Sequence, residues 1–309
     1  MKTNYFKAIL LLVSLLTVSS SFSQSSYSDK FPKWRLGLNM GGTWQSNDLS
    51  KNKAGLAGGF NIERILNRKE EALVGFSLGF RFLSGNSYGL DNNRNIALKS
   101  NTVLNGTIDT TLNYFKSPGY FYNNYKTKHG EGAFELKMNF PKFEKRTNIV
   151  FHLWGGIGVA TYSTKINALN GDTMYNFSNI ASQPSIGNLQ SFYDKSYETV
   201  ADGSSASVAS SWAPSCGFGL GYRFSKNVAL VFEHKLTFPR VDVIDGQQWK
   251  DDNTRTGNND FYHYTAAHLI FTIYGRAHSS SPTYNNTTNT NVNSQTNLNN
   301  SPKPIINIY

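Results

Sequence analysis

Two histidines in this 309-residue chain have a carboxylate nearby in sequence, His129 with Glu131 and His263 with Asp260. Such a pair can work as a general base when a nucleophile stands within hydrogen-bond reach. No nucleophile motif accompanies either one, so no catalytic residue is expected and the chain does not read as an enzyme. Cys216 is the single cysteine. It cannot close an internal disulfide, and no Cys/His set has zinc-site spacing, so neither a metal nor a cofactor is expected. What recurs instead is charge of both signs. Arg35, Glu63, Arg81, Glu135, Lys137, Arg223, Glu233 and Lys235 each stand opposite large apolar residues in an alternating segment. Acids and bases gathered on one shared face can neutralise one another, and the chemistry they offer is ion pairing.

Alternating segments belong to strands, and composition says what surrounds them. Aromatic residues make up 14% of the chain, charged residues only 16%, and there are 26 glycines. Many aromatics and glycines with few charges suit short strands that face an apolar medium on one side. A helical membrane protein would need runs of about 18 or more apolar residues. The one continuous apolar run is at the start, where Lys2 and Lys7 precede Ala8 to Val18 and small residues lead to Gln24. This predicts a signal peptide over 1–23, with cleavage before Gln24. The net charge of +10 comes from cations scattered through predicted turns and loops. There is no basic stripe interleaved with stacking aromatics, so no nucleic acid is expected, and a surface of anionic lipid head groups is the better electrostatic partner.

Eight segments carry the period-two pattern, and helical periodicity is absent. In the first, Trp34, Leu36, Leu38, Met40 and Trp44 oppose Arg35, Gly37, Asn39, Gly41 and Thr43. The second sets Leu56, Phe60 and Ile62 against Ala57, Gly59, Asn61 and Glu63. The third alternates strictly, with Val74, Phe76, Leu78, Phe80 and Phe82 against Gly75, Ser77, Gly79 and Arg81. The fourth runs through Phe134 to Phe140 opposite Glu131, Glu135, Lys137 and Asn139, and the fifth through Ile149 to Val159 opposite His152 and Gly156. The sixth opposes Cys216, Phe218, Leu220, Tyr222 and Phe224 to small residues and Arg223, and the seventh runs from Val228 to Phe238 with Glu233 and Lys235 on its polar face. The last extends from about Tyr262 to Arg276.

Connections alternate in length. Short turns are expected at 67–71, 141–146 and 225–227, and longer polar segments at 45–54, 85–126, 167–207 and 239–261. An up-and-down barrel threaded from the periplasm has this asymmetry, with its long loops outside. After Arg276 the pattern stops, and Ser, Thr and Asn dominate to Asn300. That composition predicts a disordered, low-complexity tail over 277–309.

A soluble barrel would alternate too, but it turns its large apolar residues inward. Here charges sit near the middle of the segments. An Arg or Lys on the lipid face at mid-bilayer costs about 2–4 kcal/mol, which assigns the charged face to the lumen. The fold expected is therefore all-β: an up-and-down antiparallel transmembrane β-barrel of about eight strands over 24–276, with long extracellular loops. A salt-bridged plug is favoured over an ion path, because barrels of this size are normally filled by side chains. Trp34, Trp44, Phe82, Phe140, Phe224, Phe238 and Tyr274, near segment ends, are expected to form interfacial aromatic girdles.

Together, the signal peptide, eight alternating segments, uneven connections, mixed-charge face and Asn/Thr/Ser-rich exit segment resemble the OmpA-like family of eight-stranded outer-membrane barrels. The likeness covers about residues 30–276. It implies an outer-membrane address in a Gram-negative bacterium with the tail in the periplasm, and it supports architecture more than activity. Members commonly follow the barrel with a periplasmic peptidoglycan-binding domain, so either the sequence is a fragment of a longer protein or that anchoring role is missing; the tail could still meet a periplasmic partner. The expected role is structural or surface-binding, with a small pore as the alternative and a lipid A-modifying barrel enzyme as a second alternative. Tyr114, Phe115, Tyr120, Phe121, Tyr122 and Tyr125 are expected to bind a surface protein or glycan. His234 falls on the lipid face by strict alternation, and a bulge that shifts the register is the preferred account.

Overall fold

The structure is a computed structural model that describes residues 30–46, 51–66, 71–99, 101–201, 208–240, 244–246 and 260–276. The predicted signal peptide and the tail lie outside the described residues. Eight long strands make the barrel: β1 (Lys30–Ser46), β2 (Lys51–Ile65), β3 (Gly75–Leu90), β4 (Asn124–Asn139), β5 (Ile149–Ile166), β6 (Ala209–Arg223), β7 (Val228–Thr237) and β8 (Phe261–Arg276). Each pairs antiparallel with its neighbours in sequence, and β8 pairs back onto β1 over Lys30↔Arg276 to Ser46↔Phe261, which closes the cylinder. Closure leaves no long strand edge unpaired, as a bilayer requires, because lipid offers no partner for a free N–H or C=O. Among the described residues no helix is long and apolar enough to cross a membrane.

The side chains divide as their alternation dictates. Phe134 is 62% exposed while Glu135 beside it is buried, and Phe232 is 63% exposed beside a buried Glu233. On β8 the outward row from Ile273 to His263 covers ten residue steps. At about 3.3 Å per residue and a tilt of about 40°, that row spans about 25 Å, the height of an outer-membrane apolar band. The fold is thus a transmembrane barrel, greasy outside and polar within.

Several expected boundaries move. The segment 45–54 is not a long loop, because β1 reaches Ser46 and β2 starts at Lys51. The loop expected at 85–126 is shorter at both ends, since β3 and β4 continue their ladder from Gly85↔His129 to Leu90↔Asn124. In both places the strands run on past the bilayer into water, where neither face needs to be apolar and alternation fades. The turn expected at 141–146 is a short helix, α1 (Pro141–Thr147), with proline in its first turn, where the missing N–H costs nothing.

Above the outer mouth, 91–123 and 167–201 fold together into a cap. Its core contains Leu98, Leu104, Leu112, Tyr114, Phe121, Tyr122, Phe177, Leu189 and Tyr193, all buried. A second short helix, α2 (Ile186–Phe192), is capped by Ser185, whose side chain accepts from the Asn188 N–H. Phe177 is the centre, with the rings of Tyr114, Phe121 and Tyr122 at 5.7, 6.0 and 5.3 Å.

Candidate functional site: an ion-filled lumen under an aromatic cap

Alternate residues of β1 to β5, β7 and β8 meet in the bore. Arg81 of β3 places its Nε 2.8 and 3.0 Å from the two Glu135 oxygens of β4, and its Nη1 2.8 Å from Glu233 of β7. Lys235 of β7 lies 2.6 Å from Glu131 and 3.1 Å from Glu135, both on β4. Lys137 bonds Glu63 directly and stands 3.7 Å from Glu233. Glu233 is the hub, because its Oε1 also meets His152 Nε2 at 2.9 Å and His268 Nδ1 at 2.7 Å. Four carboxylates, Glu63, Glu131, Glu135 and Glu233, are thereby paired with Arg81, Lys137 and Lys235 and with the two histidines, every one buried. Pairing of every carboxylate is what makes burial tolerable, since an unpaired ion in a low-dielectric interior costs several kcal/mol.

Glycines on the same face give these side chains room. A Cβ on Gly37 would lie 2.0 Å from His268 Nε2, and one on Gly219 would lie 2.3 Å from His152 Nε2. The two imidazoles reach Glu233 only because β1 and β6 carry no side chain there. Trp154 lies against the cations, with Arg81 5.2 Å and Lys137 5.6 Å from its ring.

At the periplasmic mouth the network changes partners. Arg35 donates to Asn139 at 2.9 Å and stands 3.7 Å from Glu144 of α1. Arg223, expected among the mid-lumen charges, is only half-buried and pairs with Glu144 at this mouth. Arg35, Glu144 and Arg223 line a cleft of about 280 Å³ that Tyr274 also borders. Tyr274 therefore flanks the bore end, with its hydroxyl donating to the Lys226 carbonyl at 3.0 Å, and is not a lipid-facing girdle residue.

Toward the outer end, phenols replace ions. Tyr264 donates to Asn39 at 2.7 Å, Tyr262 donates to Glu131, and Tyr162 packs with both beneath Ile244. Ile244, from the 238–260 loop, is buried, and its carbonyl accepts from Gln45 at 3.2 Å, from Thr164 at 3.1 Å and from Thr127. A loop backbone thus plugs the bore from above, and the cap sits over it: Asn123 donates to the Asp245 carbonyl at 3.0 Å.

Four of the expected binding aromatics are therefore not available to a partner. Tyr114, Phe121, Tyr122 and Tyr125 are buried, because the two long loops satisfy each other. Tyr114 donates to the Ala168 carbonyl at 2.7 Å and Tyr125 to Gln45 at 2.7 Å. Tyr120 is half-buried, and Phe115 is exposed. Burial pushes the phenols of Tyr114 and Tyr193 well up, and Tyr175 up to about 12.

Of the remaining expected residues, Trp34, Phe140 and Phe224 face outward at the periplasmic end, Trp44 and Phe238 at the outer end, and Phe82 faces outward midway along β3. Trp212 is exposed on β6 at the outer end as well, a position the sequence reading missed by starting that strand too late. His129 is buried in the lumen with its ring 5.0 Å from Tyr262. Glu131 beside it serves Lys235 and Tyr262. The bulge expected at His234 does not occur: β7 keeps unbroken register with β6 and β8, and His234 points outward. The outward-facing His263 meets Ser46 at 2.8 Å.

A closed eight-stranded cylinder with an apolar exterior and a charged bore defines a small outer-membrane β-barrel. No family model matches the chain, and no curated protein sequence does. Among solved structures, Neisserial surface protein A shares 9% identity at a TM-score of 0.37, covering 78% of this chain and 97% of its own. A major outer membrane protein from Thermus thermophilus shares 10% identity at a TM-score of 0.38, covering 78% and 99%. The attachment invasion locus protein of Yersinia pestis, solved with the heparin analogue sucrose octasulfate, shares 8% identity at 0.32, covering 79% and 99%.

Proposed function

We propose that the chain is a structural or surface-binding barrel of OmpA-like type, anchored in the outer membrane of a Gram-negative bacterium with its C-terminal tail in the periplasm, and that it neither conducts nor catalyses. The observation that carries this reading is the stacking of two seals in one bore. The paired charges of Glu63, Glu131, Glu135, Glu233, Arg81, Lys137 and Lys235 fill the middle, and Ile244 with its three hydrogen-bonded neighbours closes the outer end. An ion crossing it would have to break bonds to Glu233 or Glu135 and displace a buried loop as well. A rigid cap on a filled barrel is suited to holding a surface outside the cell. Its exposed apolar residues, Ile96, Ile108 and Phe115, stand near Arg94, Lys99 and Lys116, which favours an anionic or mixed partner such as a protein or glycan.

The test is single-channel recording of the folded full chain in planar bilayers. No steady conductance is expected from the wild type, and paired removal of Arg81 and Glu135 is expected to produce brief openings. Long-lived openings of the wild-type protein would replace this reading with the pore.

A further inference from the structure

His234 and His263 are the outward-facing histidines of the described barrel, and they touch. His263 Nδ1 lies 3.3 Å from His234 Nε2. The far nitrogen of each ring is also engaged: His263 Nε2 is 2.8 Å from Ser46 Oγ, and His234 Nδ1 is 2.7 Å from Thr265 Oγ1. The indole of Trp44 stacks on His263, with centroids 5.1 Å apart and planes 8° from parallel.

The two hydroxyls matter because of the tautomers they permit. When His263 donates from Nε2 to Ser46 and His234 donates from Nδ1 to Thr265, the nitrogens that face each other are both lone pairs. Two lone pairs so close repel unless a proton or a cation lies between them. Imidazole nitrogens bound to one tetrahedral transition metal at about 2.0–2.1 Å stand about 3.3–3.4 Å apart, the edge of that tetrahedron. Ligating histidines, moreover, regularly donate their other N–H to an outer partner, the arrangement that Ser46 and Thr265 supply here.

We propose that His234 and His263 form a two-histidine site for a divalent transition metal of the kind imidazole favours, such as Cu²⁺, Ni²⁺ or Zn²⁺, at the outer edge of the apolar band. Among the described residues no third His, Cys, Asp or Glu joins them. The metal therefore keeps open positions, which water fills from the head-group side. The pair belongs to β7 and β8, two adjacent strands, so a bound ion clips them together at the level of Trp44. In the absence of metal one ring donates to the other, and the site is a neutral hydrogen-bonded chain from Ser46 to Thr265. This site is independent of the lumen and of the reading given above for the barrel.

Trp44 makes the test direct, because a paramagnetic ion one ring away quenches its fluorescence. The untagged full chain, folded in detergent micelles, is titrated with CuCl₂ and then with NiCl₂ in a non-chelating buffer. Saturable quenching reversed by a chelator is expected, with the saturable part lost in Trp44→Phe. His234→Gln and His263→Gln, which keep a polar side chain of similar size, are each expected to weaken apparent affinity at least ~10-fold, and Ser46→Ala less than either, as outer partners do. Folding of each variant is checked by its heat-modifiable mobility, and His234→Ala and His263→Ala serve if a Gln variant fails that check. Quenching that never saturates, or that is the same in both histidine variants as in wild type, overturns the proposal.

Discussion

The lumen and the cap are both densely buried, yet opposite forces hold them. In the lumen, cohesion is ionic and numerical: Glu233 alone answers Arg81, Lys137, His152 and His268, so each side chain's place depends on its partners' charges. In the cap, cohesion is apolar and geometric, with rings packed around Phe177 and phenols tied to backbone carbonyls. A charged cluster fails when one member is neutralised, because the others are left buried without compensation. An aromatic cluster fails when volume is removed, and the loss stays local. The two regions of one molecule should therefore break in different ways.

The largest effect is expected in the lumen. Replacing Glu233 with Ala leaves Arg81 with Glu135 alone and removes the shared acceptor of His152 and His268. Breaking a buried pair by deleting one partner costs about 3–5 kcal/mol. A lower urea midpoint for refolding into lipid vesicles is the expected outcome, across the whole barrel. A variant that also neutralises Arg81 should recover part of the loss. If Glu233→Ala unfolds at the wild-type midpoint, the lumen ions do not hold the barrel.

In the cap, Phe177→Ala removes the ring that seven others surround. Phe→Ala in a packed core costs about 3–5 kcal/mol, and the more exposed, loop-built cap should collapse around the gap and pay the lower figure. The expected signature is faster protease cleavage within 91–123 and 167–201, with the barrel still resistant and its urea midpoint unmoved. Loss of the barrel together with the cap would mean the two are one cooperative unit.

The same contrast explains what could be read from the residues alone. The bore was legible because a strand repeats every two residues: Glu63, Arg81, Glu135 and Glu233 announce their face by the Phe and Leu beside them. Pairing was legible as a class but not in detail. That Glu233 gathers two histidines depends on Gly37 and Gly219 leaving room across three strands, which no local pattern encodes. The cap was misjudged because its contacts are long-range and aperiodic; Tyr114 meets Ala168 across 54 residues, and nothing in the sequence around Tyr114 distinguishes a ring that packs from one that binds. His234 was misjudged for the reverse reason. Strict alternation gives its direction correctly, and a bulge would be needed only if a polar ring facing lipid were too costly. Its partners, Thr265 and His263, lie on the next strand and reduce that cost.

A milder perturbation separates the regions without mutation. Phenols that are neutral when buried have raised folded-state pKa values, so their contribution to stability is complete below an unfolded tyrosine's pKa of about 10 and is lost as pH climbs through the folded value. Burial holds Tyr175 up to about 12 and moves Tyr114 and Tyr193 the same way. Between about pH 10 and 12, then, each unfolded cap releases protons that the folded cap retains, and the equilibrium shifts toward opening. Raising the pH from 8 to 11 in micelles should expose the cap to protease while strand circular dichroism stays constant, with tyrosinate absorbance rising in step with cleavage. Cap cleavage that is complete below pH 9 would show that the phenols are already in contact with water, and the aromatic side of the contrast would lose its physical basis.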